Sequence, residues 1–210
     1  LRIDQYVMQN YVLLDFILNT GNAAGQNMVT LAANVACDYI KQQTNHSFFL
    51  ESNLNSDKKA SFRNMILGRG HGVIAETHVT KSVMTRVLNV DQDFLYESFN
   101  YFPIVSAMAG THGNGLHISN ALTAIYLATG QDTACVAENS LGHFNLQKSD
   151  GGLTFRLTLP SLTIGTVGGG TRLNQQQQNL RLLGCDNGEH SSRKLAEIIA
   201  AAALGLEISL

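Results

Sequence analysis

The order of apolar and polar positions predicts a strand followed by a helix in the first fifty residues. Residues 6–18 form an apolar run rich in aromatic and β-branched side chains, which indicates a buried strand. Residues 19–22 interrupt this apolar run with a turn. Further along the chain, residues 48–50 are typical of a short strand. Between residue 24 and about residue 43, an apolar face recurs at helical spacing, made by Met28, Leu31, Ala32, Val35 and Tyr39.

Beyond a polar segment at residues 51–60, which predicts a loop between two units, helical and strand patterns follow each other irregularly. Helical patterns cover residues 81–88, the first part of 91–108, 114–128, 174–183, and a last segment from 191 or 192 through Ala202. Strand patterns cover residues 72–79 and 153–159. Because strands and helices mix without repeated βαβ units, the pattern favours the α+β class.

Individual residues mark the expected ends of these elements. The Thr80 hydroxyl is suited to cap one helix, and Ser191 or Ser192 is expected to cap the last one. Gly130 closes the helical pattern that precedes it. Proline lacks a backbone N–H, so one proline interrupts residues 91–108 and the other, Pro160, is expected to end the second strand.

Composition and charge exclude several classes of function. The 210 residues are 44% hydrophobic and carry a net charge of -2, which leaves no basic footprint for nucleic acid or an anionic membrane. The longest apolar run has about nine residues, short of the roughly 18 that a membrane span requires. Three cysteines without C-x-x-C spacing predict neither a disulfide framework nor a zinc site, so a cytoplasmic protein without a metal is expected. Both ends of the chain are expected to be cuts in a longer protein.

Two glycine-containing turns precede predicted helices. Residues 21–28 read G-N-A-A-G-Q-N-M, and residues 165–171 read G-T-V-G-G-G-T. Glycines let the backbone approach a phosphate or ribose closely, and a helix N-terminus favours negative charge. The alternative for the first turn is an ordinary helix entry.

Polar residues of two further segments are candidates for chemistry. The loop at residues 53–60 reads N-L-N-S-D-K-K-A, which taken alone is typical of a solvated turn. His117 and Asn120 share a helical face with Ala124 and can point into one pocket, although a core histidine is the alternative for His117. G-Q-D follows at residues 130–132, where the aspartate can also be an ordinary loop acid.

These segments, in this order along the chain, resemble the hydroxymethylglutaryl-CoA (HMG-CoA) reductase family. The family carries a G-D-A-M-G-M-N-M turn, an N-x-x-x-D-K-K loop, a helix followed by G-Q-D, and G-T-V-G-G-G-T, the last of which the chain matches in full. The resemblance extends from about residue 6 to residue 210. It implies an α+β fold in which a small nucleotide-binding domain is inserted into a large substrate domain.

The resemblance also implies a role for each matched residue. Lys58 stabilises the oxyanion formed when hydride attacks the thioester, and Asp132 is catalytic and keeps Lys58 protonated and positioned. The residues expected to bind substrate are Asp57, Lys59, Asn120 and His117. The residues expected to bind cofactor are Asn22, Ala23, Gly25, Gln26, Asn27, Met28, Gly168, Gly169, Gly170 and Thr171.

The implied enzyme is a homodimer or larger oligomer that reduces HMG-CoA, or a related acyl-CoA, to mevalonate and CoA for isoprenoid precursor synthesis. It uses two NADPH, with NADH as the alternative cofactor. Residues 1–50 are the remainder of the small cofactor domain, residues 51–61 the loop of the catalytic lysine, and residues 62–210 part of the large domain that binds substrate and dimerises.

The chain departs from the family pattern in ways that keep alternatives open. Asn22 stands where many relatives have aspartate, and Tyr101 or a neighbouring residue stands where many have a substrate lysine. The family's catalytic glutamate and histidine belong to segments upstream and downstream of those present, so the 210 residues alone are expected to be inactive. One alternative is a catalytically incomplete relative that binds acyl-CoA or nucleotide. The other is a structural domain whose glycines only form turns.

Overall fold

The fold begins with a hairpin. The structure is a computed structural model that describes residues 2–210. Strand β1 (Arg2–Met8) pairs antiparallel with β2 (Tyr11–Ile17). Gln9, with a φ of 46°, lies in the turn between them. The prediction of one buried strand over residues 6–18 is wrong, because the polar pair at positions 9 and 10 turns the chain back and most β1 side chains are exposed.

The helix predicted after the first glycine turn is confirmed as α1 (Gln26–Thr44). It ends where Asn45 adopts a left-handed conformation and donates its backbone N–H to the Lys41 carbonyl. Residues 2–210 leave the apolar face of α1 uncovered, since Leu31 and Val35 are 69% and 70% exposed. The strand expected at residues 48–50 is absent from the described structure.

A three-stranded antiparallel sheet forms the centre of the second part of the chain. Its strands are β3 (His71–Thr80), β4 (His143–Ser149) and β5 (Gly152–Leu162), in the order β3-β5-β4. The predicted strands at residues 72–79 and 153–159 are confirmed as β3 and β5, whereas no pattern indicated β4. Its inward positions are Phe144 and Leu146, and two apolar residues are too few for periodicity to reveal a strand.

Pro160 does not end β5, contrary to the sequence prediction. The strand continues to Leu162, and its pairing with β3 shifts register at the end that contains the proline. On the other side, β4 pairs with β5 only as far as Thr158. Because a proline cannot donate a ladder hydrogen bond, it is tolerated at such an irregular end of the pairing.

The remaining helices connect and cover the sheet. They are α2 (Phe62–Leu67), α3 (Lys81–Val83, continued by a π turn at Met84–Leu88), α4 (Gln92–Phe99), α5 (Phe102–Met108), α6 (Ile118–Thr129), α7 (Val136–Asn139), α8 (Asn174–Leu182) and α9 (Ser191–Ser209). The predicted interruption by a proline is confirmed, since α4 ends at Phe99 and a new helix, α5, starts at Phe102 with Pro103 in its first turn. This mixture of helices with an antiparallel sheet confirms the α+β class.

Two predicted helix starts differ from the structure. Helix α6 begins at Ile118 rather than at residue 114, because the Asn114 side chain bonds the backbone N–H and C=O of Phe144 and ties residue 114 to the sheet. Ser191 and Ser192 do not cap α9 but lie in its first turn, where their hydroxyls bond other segments. The Thr80 cap is confirmed by its bond from the Val83 N–H, and Gly130 closes α6 in a left-handed conformation.

The hydrophobic core lies between β5 and helices α6 and α9. Leu153, Leu157 and Leu159 point from β5 into this layer and are fully buried together with Leu122 of α6 and Ile199 of α9. The alternation along β5 therefore reports burial correctly. Among residues 2–210, no helix combines the length and the apolar character that spanning a membrane requires.

Candidate functional site

Lys58 lies in a loop with an unusual backbone. Residues 51–60 contain neither helix nor strand. Positive φ angles occur in this loop at Glu51, Asn53, Ser56 and Lys58. At Lys58 the angle is 59°, in the left-handed region that costs a non-glycine residue about 1–2 kcal/mol. Such a conformation persists only where surrounding contacts hold it.

The side chain of Lys58 forms an ion pair with Asp132, from a distant part of the chain. Lys58 Nζ lies 3.0 Å from Asp132 Oδ2. The hydrogen bond and the charge of Asp132 raise the pKa of Lys58. Burial acts to raise the pKa of Asp132, but the bonds from Lys58 and from the Ala134 N–H outweigh it, and the pKa of Asp132 is lowered. The structure therefore holds an ammonium beside a carboxylate at neutral pH.

The backbone of Lys58 is bound by Glu138, a residue that sequence reasoning missed. The Lys58 N–H donates to Glu138 Oε2 over 3.0 Å. Glu138 belongs to α7 and is fully buried, and Arg69 donates to its two oxygens over 2.7 and 3.0 Å. Asn64 donates to the same carboxylate over 3.1 Å. In the sequence, Glu138 is a single charged residue in the short segment V-A-E-N shortly after G-Q-D, and no motif indicates a functional role for it.

The charges around Glu138 are largely removed from water. Burial raises the pKa of the Glu138 carboxyl, against the opposing effect of Arg69. Burial acts to lower the pKa of Arg69, but the bonds to Glu138 and Asp57 outweigh it, and the pKa is raised. Ligand atoms of Asp57, Cys135 and Glu138 lie within 4.8 Å of one another. Because the Arg69 guanidinium already supplies the positive charge, we do not assign this group to a metal.

The two predicted substrate residues beside Lys58 have different surroundings. Asp57 accepts a hydrogen bond from Arg69 over 2.7 Å and is part of the buried charge network. Lys59 is exposed, and its Nζ donates to the backbone oxygen of Asp57 over 3.0 Å. Asp57 therefore contributes to the structure of the loop, whereas Lys59 presents a cation at the surface.

His117 and Asn120 lie together at the start of α6. Asn120 Nδ2 lies 2.7 Å from His117 Nδ1, and the His117 backbone N–H donates to the buried carboxylate of Glu207. Within residues 2–210, no hydrogen bond or ion pair joins either side chain to Lys58 or Asp132. The structure thus brings the two residues to each other but not into direct contact with the Lys58 pair. Tyr101, at the start of α5, is also exposed.

The two glycine turns pack against each other and against G-Q-D. The Thr166 N–H donates to the Asn22 carbonyl over 2.8 Å, and Ala23 forms a β-bridge with Val167. A Cβ on Gly165 would lie 2.4 Å from the backbone nitrogen of Ala24, so only glycine allows this approach. Gln131, the middle residue of G-Q-D, bonds both the N–H and the C=O of Gly165 over 2.9 Å.

The Asn22 side chain ties the first turn to helix α9. Its Oδ1 accepts bonds from the N–H and the hydroxyl of Ser192 over 3.1 and 3.0 Å. Its Nδ2 donates to the Gly188 carbonyl over 3.0 Å. The Asn22 side chain, which was predicted to bind cofactor, therefore forms its hydrogen bonds within the protein. Its neighbours in the turn present backbone groups.

Several backbone groups of the two turns remain open to a ligand. Gly25 precedes α1 without a side-chain cap, and the first turn of α1 has no acidic residue, so its positive end is not neutralised locally. Gly168 and Gly169 have positive φ and nothing within 4 Å of an added Cβ. Gly170 instead packs against Gly130, and the Thr171 hydroxyl donates to the Gly168 carbonyl. In the first turn, Gln26 Nε2 donates to Cys135 Sγ over 3.1 Å.

Comparisons with known proteins give a consistent family. The sequence model of hydroxymethylglutaryl-coenzyme A reductase matches residues 1–210. The 3-hydroxy-3-methylglutaryl-coenzyme A reductase of Methanocaldococcus jannaschii is 40% identical over 204 residues, covering 93% of the chain and 50% of that protein. The enzyme of the same name from Aeropyrum pernix is 39% identical over 213 residues, covering 98% and 51%. The chain therefore spans about half the length of these relatives.

A solved structure has the same fold. The class II 3-hydroxy-3-methylglutaryl-CoA reductase of Streptococcus pneumoniae, bound to NADPH in open conformations, superposes with a TM-score of 0.68 at 21% identity. The match covers 99% of the chain and 56% of that protein.

Proposed function

The chain belongs to the hydroxymethylglutaryl-CoA reductase family, and on that premise we propose that its protein reduces HMG-CoA to mevalonate and CoA with two NADPH. The observation that carries the proposal is the ion pair between Lys58 and Asp132, which two distant segments bring to 3.0 Å. The G-Q-D segment that holds this aspartate also bonds the glycine turn at Gly165. The G-Q-D segment therefore links the ammonium of Lys58 to the two glycine turns.

The role of Lys58 follows from the charge that develops on the substrate. When a hydride adds to a thioester carbonyl, the carbonyl oxygen becomes an oxyanion, which a preorganised ammonium stabilises more than it stabilises the neutral substrate. Asp132 keeps Lys58 protonated and fixes where its Nζ points. We assign the first role to Lys58 and the second to Asp132.

The two turns fit a dinucleotide. NADPH would supply the hydride. The open N-terminus of α1 and the unobstructed backbone at Gly168 and Gly169 offer N–H groups to phosphates. We assign cofactor contacts to the backbone of residues 22–28 and 168–171, and to the exposed side chain of Asn27.

Substrate contacts and assembly complete the proposal. We assign contacts with the acyl part of the substrate to Lys59, His117 and Asn120, and a structural role in the loop to Asp57. We take residues 1–50 as the cofactor region, residues 51–61 as the loop of the catalytic lysine, and residues 62–210 as the substrate region. The uncovered apolar face of α1 supports burial against further protein, so we propose a homodimer or larger oligomer. Three cysteines without disulfides support a cytoplasmic location.

The reductase proposal is tested with the full-length protein that contains this chain. Incubated with HMG-CoA, it should oxidise two NADPH for each mevalonate formed, followed by nicotinamide absorbance and product analysis. A catalytically incomplete relative would bind NADPH or acyl-CoA, seen as a thermal shift, without consuming cofactor. That outcome would replace the proposal by a binding function.

We expect Asp132→Asn to shift the pH dependence of turnover. Asp132 raises the pKa of Lys58, so its loss should let Lys58 deprotonate at lower pH and move the alkaline limb of the kcat profile to lower pH. Turnover at neutral pH should fall by up to about 100-fold, because the ammonium also loses its orientation. The matched control is Asp93→Asn, which removes the partner of the surface residue Lys148. An unchanged limb in Asp132→Asn would contradict the role of the carboxylate.

We expect Gly165→Ala to weaken cofactor binding selectively. The added methyl group would meet the Ala24 backbone at 2.4 Å and push the two turns apart. The KM for NADPH should rise about tenfold or more, equivalent to about 1.4 kcal/mol, with a smaller change in kcat. Gly205→Ala in α9, where nothing lies within 4 Å, is the control and should leave KM unchanged.

A further inference from the structure

Lys58 is held at two points by one short segment of the chain. Its Nζ contacts Asp132, and its backbone N–H donates to Glu138 over 3.0 Å. Asp132 directly precedes a 3₁₀ turn (Thr133–Cys135), and Glu138 lies in α7, which follows this turn. The ammonium and the backbone from which it extends are therefore positioned by the same piece of structure.

Glu138 itself is fixed on all sides. Its side chain is fully buried, and the guanidinium of Arg69 bonds both carboxylate oxygens. Asn64 donates to Oε1 over 3.1 Å, and the Ser161 hydroxyl lies 3.4 Å from the same atom. Because these partners come from α2, the loop after it and β5, the carboxylate is anchored to the centre of the fold.

The backbone of Lys58 needs such an anchor. Its φ of 59° is a left-handed conformation that a residue with a side chain adopts rarely. A hydrogen bond from its N–H to a buried carboxylate is charge-assisted and therefore stronger than one to a neutral acceptor. Without this bond, the backbone of Lys58 can return to a negative φ, and its side chain then points away from Asp132.

We propose that Glu138 is a positioning residue for the reductase reaction: it holds the Lys58 backbone in the conformation that aims the ammonium at the reacting carbonyl. This inference rests on the proposed function for its catalytic consequence. The anchoring itself rests on the contacts among Lys58, Glu138 and Arg69.

The test compares Glu138→Gln with wild type in the full-length protein. Glutamine keeps the shape of the side chain but removes its charge, so kcat should fall about 10- to 100-fold, the loss expected from a misplaced catalytic group. KM for HMG-CoA and for NADPH should change less than about threefold, since uniform binding is not removed. The alkaline limb of the kcat profile should move to lower pH, because Lys58 leaves Asp132.

Amide hydrogen exchange at Lys58 provides a readout that does not depend on turnover. Exchange should be faster in Glu138→Gln than in wild type, because the acceptor of the N–H is weakened. Asn114→Ala is the matched control: it removes another buried polar side chain, which bonds Phe144 outside the loop. This variant should lose stability while keeping the wild-type kcat, pH limb and Lys58 exchange.

The outcomes separate the two proposals. A wild-type protein that oxidises no NADPH with HMG-CoA overturns the reductase function, and the exchange comparison then decides the anchoring alone. An active wild type combined with a Glu138→Gln variant of unchanged kcat and unchanged exchange overturns the positioning role. If Glu138→Gln does not fold, Asn64→Ala removes one partner of the carboxylate without leaving a charge unpaired, and it should shift kcat and exchange in the same direction.

Discussion

Replacing Lys58 by methionine should lower kcat for HMG-CoA reduction about 100- to 1,000-fold, the loss typical of removing one donor to an oxyanion. Methionine retains the length and packing of the lysine stem but has no charge. The affected interaction is strongest when the carbonyl oxygen carries negative charge, so kcat should fall more than KM rises. Steady-state kinetics with both substrates varied measures the two effects separately.

The chain offers a matched control for this substitution in Lys148. Lys148 forms an ion pair with Asp93 at 2.8 Å, and its side chain is 49% exposed, against 44% for Lys58. The pair lies between β4 and α4, in contacts separate from the Lys58 loop. Lys148→Met should leave kcat unchanged, and an equal loss of kcat in both variants would show that Lys58 has no special role.

Replacing Arg69 by methionine should lower the free energy of unfolding by about 3–5 kcal/mol, the usual cost of leaving a buried ion pair with one partner. Arg69 pairs with Glu138, whose side chain is fully buried, and with Asp57. Methionine would leave the Glu138 carboxylate without a counter-charge in the interior. Chemical denaturation of the variant and the wild type measures the difference.

The deficit of Arg69→Met should depend on pH with a definite sign. Burial already raises the pKa of Glu138, and loss of Arg69 should raise it further. The folded variant then binds a proton that the unfolded chain has released, so its stability falls as pH rises above the unfolded glutamate pKa of about 4.3. The deficit should be smallest at acidic pH and largest at neutral pH. The double variant Arg69→Met/Glu138→Leu, which removes both charges, should recover part of the loss at pH 7. A deficit that does not vary with pH would contradict the assignment of the buried charge.

Local signals in the sequence predicted the parts of the site that are contiguous in the chain. The glycine turns at residues 21–28 and 165–171 lie at or just before the starts of α1 and α8, as the sequence predicted. Such turns can be predicted because φ preference and helix capping act over a few residues. The order of the motifs identified the family, which the comparisons confirm. From that resemblance came the expectation that Lys58 and Asp132 act together, and the structure brings them into contact.

Contacts between distant segments were beyond local reasoning. Glu138 meets Arg69 and Lys58 through the packing of α7 against β5, and neither its letter nor its spacing indicates these partners. The same limit applies to the side-chain bonds of Asn22 with Ser192 at the start of α9, which no local pattern indicated. The apolar face of α1 around Val35 shows the same limit, since such a face indicates that something covers it but not what.

The most direct test is a crystal structure of the full-length protein with HMG-CoA and the oxidised cofactor NADP⁺ bound together. We expect Lys58 Nζ to lie within hydrogen-bonding distance, about 2.7–3.1 Å, of the thioester carbonyl oxygen. Asp132 should contact the same ammonium. An ammonium that points into bulk water, away from both the carbonyl and Asp132 in every subunit, would contradict the oxyanion role of Lys58.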